Sequence, residues 1–284
     1  MNRTTDNPTA YHIWNADTLK GLAKIDPASV AAVITDPPYP GVEREYGYWT
    51  VSEWRDLMRD VVREVRRVLT PTGSAVFILQ PSAPSGGTTD PWLWEWLAET
   101  AREWNLIQVC YAWNKTTLPS GAATTKGLMR HSVKYCCWFG AGDCYRNQAA
   151  ILNPVSESMK RDSRESKFRR SGHTVDRARM RATANRRGGT TPFNVIEYAS
   201  TSSAEDVGNP HPAKTQYVIA DRWVRYISEP EDIILDPFCG SGTVGLAALN
   251  RGRNFLGIDK EGEYVLCSNK RLADAQDRMN IPTQ

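Results

Sequence analysis

Apolar residues fall along the chain in two patterns that predict alternating strands and helices. Val30–Thr35 is a short, nearly unbroken apolar run, whereas apolar positions between 54 and 69 recur every three to four residues. The first pattern is typical of a buried strand and the second of an amphipathic helix, for which Ser52 is the predicted N-cap and 71–73 the predicted end. Further strands are predicted at 74–79, 106–113 and 133–139, and a tryptophan-rich helix at 92–104.

The same alternation returns near the C-terminus, after a long polar stretch. A helix is predicted at 214–227, strands at 232–236 and 254–259, a helix at 243–250 and a last helix from Glu261. Strands that alternate with helices predict an α/β fold with one doubly wound, mainly parallel sheet. The predicted division is 1–150, an insertion at 151–207 and 208–284. Polar stretches as long as this insertion are usually functional or disordered.

Composition narrows the class of protein. The chain has 284 residues, of which 40% are hydrophobic and 24% charged, as in ordinary globular proteins. The first thirty residues lack the layout of a signal peptide, and no apolar run approaches the roughly 18 residues of a membrane span. The sequence therefore predicts a cytoplasmic protein without a membrane partner. The six cysteines are scattered, which favours buried, reduced thiols and indicates no metal site.

Positive charge is concentrated in one part of the predicted insertion. Residues 160–187 contain eleven Lys or Arg against three acidic residues, a balance of +8 in a chain whose net charge is +3. The remainder of the chain therefore sums to −5. Basic residues spread through polar sequence attract phosphates, although a solvated charged loop is the alternative interpretation. The candidate phosphate-contacting residues are Arg169, Arg170, Arg179 and Arg181.

The first string with chemical content is Asp36-Pro37-Pro38-Tyr39, which directly follows the predicted strand Val30–Thr35. Ligands of open α/β sheets bind at the carboxyl ends of strands. An acceptor aimed at an exocyclic amine stabilises the positive charge that develops as the nitrogen attacks. Asp36 and the Pro37 carbonyl can supply such acceptors, and Tyr39 can stack on a base. A plain proline turn is the alternative.

The second string is a glycine turn that opens a helix. Phe238-Cys239-Gly240-Ser241-Gly242-Thr243 follows a predicted strand that ends at Asp236, and the next predicted strand ends at Asp259. Glycines let the backbone approach a ligand closely, and an acid about 20 residues further on commonly binds a ribose. A purely structural turn is the alternative. With acids at two successive strand ends, a nucleoside-bearing cofactor is favoured.

Together the two strings resemble the S-adenosylmethionine-dependent DNA amino-methyltransferases, which modify adenine N6 or cytosine N4. Their order, with the catalytic string first, resembles the permuted beta class. The resemblance implies a Rossmann-like methyltransferase fold, S-adenosylmethionine as cofactor, double-stranded DNA as partner and a flipped-out target base. It assigns catalysis to Asp36, Pro37, Pro38 and Tyr39, and cofactor binding to Asp17, His211, Lys214, Asp236, Phe238, Gly240, Ser241, Gly242, Thr243 and Asp259.

The resemblance has a departure and leaves alternatives open. Thr215 and Gln216 follow Lys214 where the family usually has a second lysine-proline. Aspartate at position 36 favours adenine N6, because the resemblance associates serine there with cytosine N4. Methylation of RNA or of a protein glutamine, and DNA binding without catalysis, are the rival functions. A homodimer and a cognate restriction endonuclease stay open as further partners.

Overall fold

The computed structural model describes residues 10–42, 47–81, 88–116, 127–129, 131–155, 167–170, 173–199 and 215–280. In chain order its elements are β1 (Tyr11–Asn15), α1 (Thr18–Leu22), β2 (Val30–Thr35), α2 (Val51–Val68), β3 (Leu69–Leu79), α3 (Trp92–Glu103), β4 (Leu106–Asn114), β5 (Val133–Gly140), a 3₁₀ turn (Gln148–Ile151), β6 (Lys167–Arg170), β7 (His173–Asp176), α4 (Arg177–Arg187), β8 (Val195–Tyr198), α5 (Tyr217–Ile227), β9 (Ile233–Asp236), α6 (Thr243–Leu249), β10 (Asn254–Asp259) and α7 (Gly262–Asn280).

Eight strands form one sheet in the order β1-β10-β9-β2-β3-β5-β4-β8. Neighbours pair in parallel except for β5, which runs antiparallel to both β3 and β4. The predicted doubly wound, mainly parallel α/β fold is confirmed. Since β5 runs against β3, the start of β5 lies at the edge where β2, β9 and β10 end.

Helices cover both faces of the sheet and bury two cores. One core packs α5, α6 and α7 against the strands, and the other packs α1, α2 and α3. In the second core Trp54 and Trp92 are fully buried with their rings 4.7 Å apart in an edge-on contact, and Trp96 packs beside them. The tryptophan-rich segment is therefore a packing element, although Trp94 is 41% exposed.

The N-cap of helix α2 lies two residues before the predicted one. Thr50, and not Ser52, is the cap: its hydroxyl accepts a hydrogen bond from the Glu53 backbone N–H at 3.2 Å. Glu53 in turn accepts one from the Thr50 N–H at 3.0 Å, which completes a capping box. The helix ends at Val68 and β3 starts at once, so that 71–73 belongs to the strand and does not end the helix.

The polar interval 151–207 contains regular elements that the apolar pattern did not predict. β6 and β7 form an antiparallel pair, α4 follows directly, and β8 pairs in parallel with β4 at the end of the main sheet. Helix α4 lacks an apolar stripe because arginine and small residues fill most of it, and of its described side chains only Ala184 is buried. The division of the chain into three regions stays a prediction.

Two further predictions concern the described residues as a whole. All six cysteines are free thiols, and five of them are buried. Burial raises the pKa of Cys110 to about 11, which keeps this thiol protonated at neutral pH. Among the described helices, none is both long and apolar enough to cross a membrane.

Candidate active site

A cleft opens at the edge of the sheet where β2, β9 and β10 end, and both sequence strings contribute to it. It encloses about 940 Å³, part of it open to solvent. Four carboxylates and two lysines lie among its walls, so the cleft is acidic. The lining residues are Asp17, Thr18, Asp36, Pro37, Pro38, Tyr39, Val42, Trp49, Leu57, Lys134, Phe238, Asp259, Lys260, Glu261 and Tyr264.

The Asp36 carboxylate accepts three side-chain hydrogen bonds at the cleft wall. Its Oδ1 accepts a hydrogen bond from the Tyr39 hydroxyl at 2.5 Å. Its Oδ2 accepts one from the Lys134 ammonium at 2.5 Å and one from the Thr215 hydroxyl at 2.8 Å. Only 13% of the Asp36 side chain is exposed. The string after β2 thus holds a fixed, largely desolvated carboxylate at the cleft wall.

The proline pair is anchored by the aromatic core beneath it. The indole N–H of Trp54 donates to the Pro38 carbonyl at 2.6 Å, and Trp54 itself is fully buried. The Tyr39 ring lies 6.3 Å from the Trp92 ring. Since α2 and α3 carry these two tryptophans, the core fixes the turn and directs Tyr39 along the cleft. Stacking of a base on Tyr39 stays a prediction.

The glycine turn is held against the end of β10. The Gly240 N–H donates to Asp259 Oδ2 at 2.8 Å, and the Glu261 N–H donates to Oδ1 of the same carboxylate at 2.9 Å. Gly242 has a φ of +71°, which disfavours any side chain there, and an added Cβ would lie 3.1 Å from the Cβ of Ser268. Burial raises the pKa of Asp259 despite these bonds.

Asp236 lies behind the cleft wall, where it joins the two strings. Its side chain is 4% exposed, and Oδ1 accepts from the Thr35 hydroxyl at 2.7 Å and from the Phe238 N–H at 3.1 Å. Burial raises the pKa of this carboxyl to about 7. Asp236 thus fixes β9 to β2 from within, and its predicted contact with a cofactor stays a prediction.

This burial gives a prediction about stability. The folded-state pKa of Asp236 lies above its ordinary value of 3.8, so the stabilising proton is lost as the pH rises through about 7. Asp236→Asn keeps an acceptor oxygen and cannot ionise. Between pH 4 and pH 8 we expect the free energy of unfolding of Asp236→Asn to rise relative to that of the wild type by on the order of 2–4 kcal/mol. Urea unfolding at several pH values measures it, and a difference that does not change with pH would contradict the burial argument.

The remaining predicted residues of the glycine turn are mostly occupied by structural contacts. Ser241 and Thr243 are both 4% exposed. The Arg271 guanidinium donates to the Ser241 carbonyl at 3.1 Å and to the Thr243 hydroxyl at 3.0 Å. Phe238 lines the cleft directly. These contacts fix the turn to α7, and their predicted roles toward a cofactor stay predictions.

Other predicted site residues lie at varying distances from the cleft. Asp17 lines it and also caps α1, since its Oδ1 accepts from the Leu19 and Lys20 N–H groups at 3.1 and 3.2 Å. His211 and Lys214 lie outside the described residues. Arg169 and Arg170 belong to β6 and pair with β7. On α4, Arg179 is exposed and Arg181 is half-buried.

Sequence reasoning missed several residues that complete the cleft, above all Lys134 and Thr215. Lys134 is the second residue of β5, and its only sequence signal is a charge within an apolar run. The reversal of β5 is what brings it to Asp36. Thr215 appeared in the sequence only as a departure from the family pattern. Glu261 and Tyr264 follow Asp259 closely and could have been proposed from that spacing.

The sequence has counterparts among known proteins. The sequence model of the family N6_N4_Mtase, described as DNA methylase, matches residues 30–270. Type II methyltransferase M.PvuII from Proteus hauseri is 26% identical over 293 residues, which cover 95% of this chain and 85% of that protein. DNA adenine methyltransferase YhdJ from Escherichia coli K12 is 24% identical over 280 residues, covering 95% of this chain and 87% of that protein.

Solved structures share the architecture. PvuII DNA methyltransferase, described as cytosine-N4-specific, superposes with a TM-score of 0.71 at 20% identity over 96% of this chain and 93% of that chain. The complex of M1.HpyAVI with SAM superposes with a TM-score of 0.58 at 20% identity, covering 92% and 98%. At these identities the likeness concerns the fold, and the function has to be argued from the residues of the cleft.

Proposed function

The chain belongs to the DNA methylase family, and from that premise we propose that it transfers a methyl group from S-adenosylmethionine to an exocyclic amine of a DNA base. The observation that carries the proposal is the junction of the two strings in one cleft: the bonded Asp36 carboxylate and the Asp259-bound glycine turn line the same space. Double-stranded DNA is the substrate, and the target base leaves the duplex to reach Asp36.

The donor set of the cleft fits S-adenosylmethionine, whose sulfonium and ammonium groups outweigh its carboxylate. Four acidic side chains against two lysines favour a cationic ligand. Each oxygen of Asp259 accepts one backbone hydrogen bond and retains a lone pair for a hydroxyl. Phe238, Tyr264 and Leu57 offer apolar walls for a planar ring. When bound, the cofactor supplies an electrophilic methyl group.

The role of Asp36 follows from its position and bonds. The lone pair of an exocyclic amine is delocalised into the base, so its attack on a methyl group develops positive charge on nitrogen. A carboxylate already held in place stabilises that charge without reorganising. Tyr39 holds Oδ1 of Asp36 and also presents its ring to the cleft. The same residue therefore orients the carboxylate and offers a stacking surface for the base.

The family resemblance leaves two target amines, N6 of adenine and N4 of cytosine, and we favour N6 of adenine. Aspartate at position 36 is the observation for this choice, in line with the sequence resemblance. The relative YhdJ is described as a DNA adenine methyltransferase. N4 of cytosine is the second candidate, because the PvuII enzyme, described as cytosine-N4-specific, has the same fold. The permuted beta class remains part of the proposal through the order of the two strings.

Cofactor binding tests the proposal directly. Isothermal titration calorimetry is expected to detect binding of S-adenosylmethionine and of its demethylated product, and no comparable binding of NAD. Asp259→Ala is expected to weaken binding, because it removes the acceptor that fixes the Gly240 N–H and lines the cleft. The matched control is Asp56→Ala, which alters an exposed aspartate on α2 paired with Arg59. Binding of NAD without S-adenosylmethionine would overturn the cofactor assignment.

A further inference from the structure

The cleft contains an ion pair between Lys134 and Asp36, and the family resemblance assigns no role to this lysine. The Lys134 ammonium lies 2.5 Å from Asp36 Oδ2, and the two side chains are only 15% and 13% exposed. The same ammonium lies 5.9 Å from the centre of the Tyr39 ring. Because β5 runs antiparallel to β3, this lysine meets the carboxyl end of β2, where the catalytic string begins.

The bonding of Asp36 differs from that of Asp236, the aspartate at the end of β9. The hydrogen bonds of Asp236 come from the neutral donors Thr35 and Phe238, and burial raises its pKa to about 7. Asp36 is also shielded from solvent, but its partners include a cation. Hydrogen bonds between two charged groups are shorter and stronger than neutral ones, so Lys134 is well placed to fix the orientation of the carboxylate.

The lone pairs of Asp36 are nearly all used. A carboxylate offers about four acceptor positions. Tyr39 uses one on Oδ1, while Lys134 and Thr215 use two on Oδ2. Among the described residues, the position that remains is on Oδ1. Three donors from separate parts of the chain thus fix the plane of the carboxylate and leave one acceptor for an incoming amine.

We propose that Lys134 is a positioning residue for methyl transfer, which fixes the Asp36 carboxylate through Oδ2 and reserves its Oδ1 for the target amine. The inference rests on the proposed function of the cleft and deepens it. Lys134 acts through Asp36. The Lys134 ammonium contacts Oδ2 and orients the carboxylate, and the target amine donates its hydrogen bond to Oδ1.

The other titratable groups around Asp36 leave Lys134 as its charged partner among the described residues. Burial, and then the charge of Asp36, raises the pKa of Tyr198 on β8 to about 12. Burial raises the pKa of Cys136 on β5 to about 12. Both groups are therefore neutral between pH 5 and pH 9. Tyr39 contacts the carboxylate as a hydrogen-bond donor, and Asp236, whose pKa is raised to about 7, adds repulsion from the end of β9 only above that pH.

A competing interpretation makes the opposite prediction. If Lys134 occupied the carboxylate only until a base displaced it, removal of the lysine would raise the rate. Positioning requires instead that Lys134→Met lower kcat on the order of 100-fold while the KM for DNA changes little, because the lysine acts on the orientation of the Asp36 carboxylate. Lys134→Arg should restore much of the rate.

The experiment combines single-turnover rates with steady-state kcat and KM for Lys134→Met, Lys134→Arg and Lys115→Met. The single-turnover rate is expected to fall in Lys134→Met, to recover largely in Lys134→Arg and to stay unchanged in Lys115→Met. Lys115 is the matched control, since it forms an exposed ion pair with Glu197 at 3.1 Å, outside the cleft. Thermal unfolding of each variant separates loss of fold from loss of rate.

Each outcome decides a separate claim. A wild-type rate in a folded Lys134→Met protein would overturn the inference while leaving the proposed function intact, and a faster variant would do the same. A wild-type protein that methylates no DNA would overturn the proposed function and with it the inference that rests on it.

Discussion

Replacement of Asp36 by alanine is expected to reduce methyl transfer to DNA by on the order of 100- to 1,000-fold, because it removes the preorganised acceptor for the charge that develops on the amine. Cofactor affinity should change little, since the glycine turn is held by Asp259 and not by Asp36. Single-turnover rates with labelled S-adenosylmethionine measure the first effect, and calorimetry measures the second.

Two controls separate catalysis from folding in this prediction. Asp36→Ala leaves the buried Lys134 ammonium without its carboxylate, which destabilises the protein. Asp36→Asn keeps an acceptor oxygen and nearly the same shape, and it is expected to retain more of the rate than the alanine variant. Asp56→Ala changes an exposed aspartate on α2 and should leave the rate unchanged. A folded Asp36→Ala protein with near-normal turnover would rule out the catalytic role.

DNA affinity is expected to depend steeply on salt and to weaken when arginines of α4 are removed. Residues 160–187 carry a balance of +8 against −5 elsewhere, and Arg179 is exposed on α4 beside the half-buried Arg181. If both contact phosphates, the double alanine variant should flatten the slope of log affinity against log salt by about two and bind on the order of 50-fold more weakly at 0.1 M salt. Fluorescence anisotropy with a labelled duplex measures both.

A matched pair on α2 controls for net charge. Arg59 and Arg63 are about equally exposed, at 65% and 68%, and each forms an ion pair with an aspartate three residues away. Their double alanine variant loses the same formal charge, but should keep the salt slope of the wild type. If the salt slope and the affinity change equally in the α4 and α2 double variants, or change in neither, the prediction is wrong. Arg169 and Arg170 on β6 are candidates for a second pair.

Much of the central fold could be predicted because its strands are buried on both faces. Val30–Thr35 and Asn254–Asp259 have the bounds that the sequence predicted, since parallel strands between two helical layers appear as short apolar runs. The cap of α2 was misplaced by two residues because Ser52 and Thr50 are both suitable caps. Only the reciprocal contact with Glu53 distinguishes them.

The parts that could not be predicted depend on pairing between distant segments. Helix α4 has no apolar stripe, so its helical state gave no periodic signal. Lys134 is separated from Asp36 by 98 residues, and their contact follows from the antiparallel course of β5, which no local pattern indicates. The sequence placed Asp236 at the end of a predicted strand. Its burial could not be predicted, because it depends on the contact with Thr35 on a distant strand.

Analysis of the methylated base tests the central claim most directly. DNA incubated with the protein and S-adenosylmethionine is digested to nucleosides and analysed by mass spectrometry, beside a reaction with Asp36→Ala. The account predicts N6-methyladenine in the wild-type reaction and its near absence in the variant. N4-methylcytosine in its place would reverse the choice of base and leave the Asp36 chemistry standing. DNA without any methylated exocyclic amine, from a folded protein that binds the cofactor, would contradict the account.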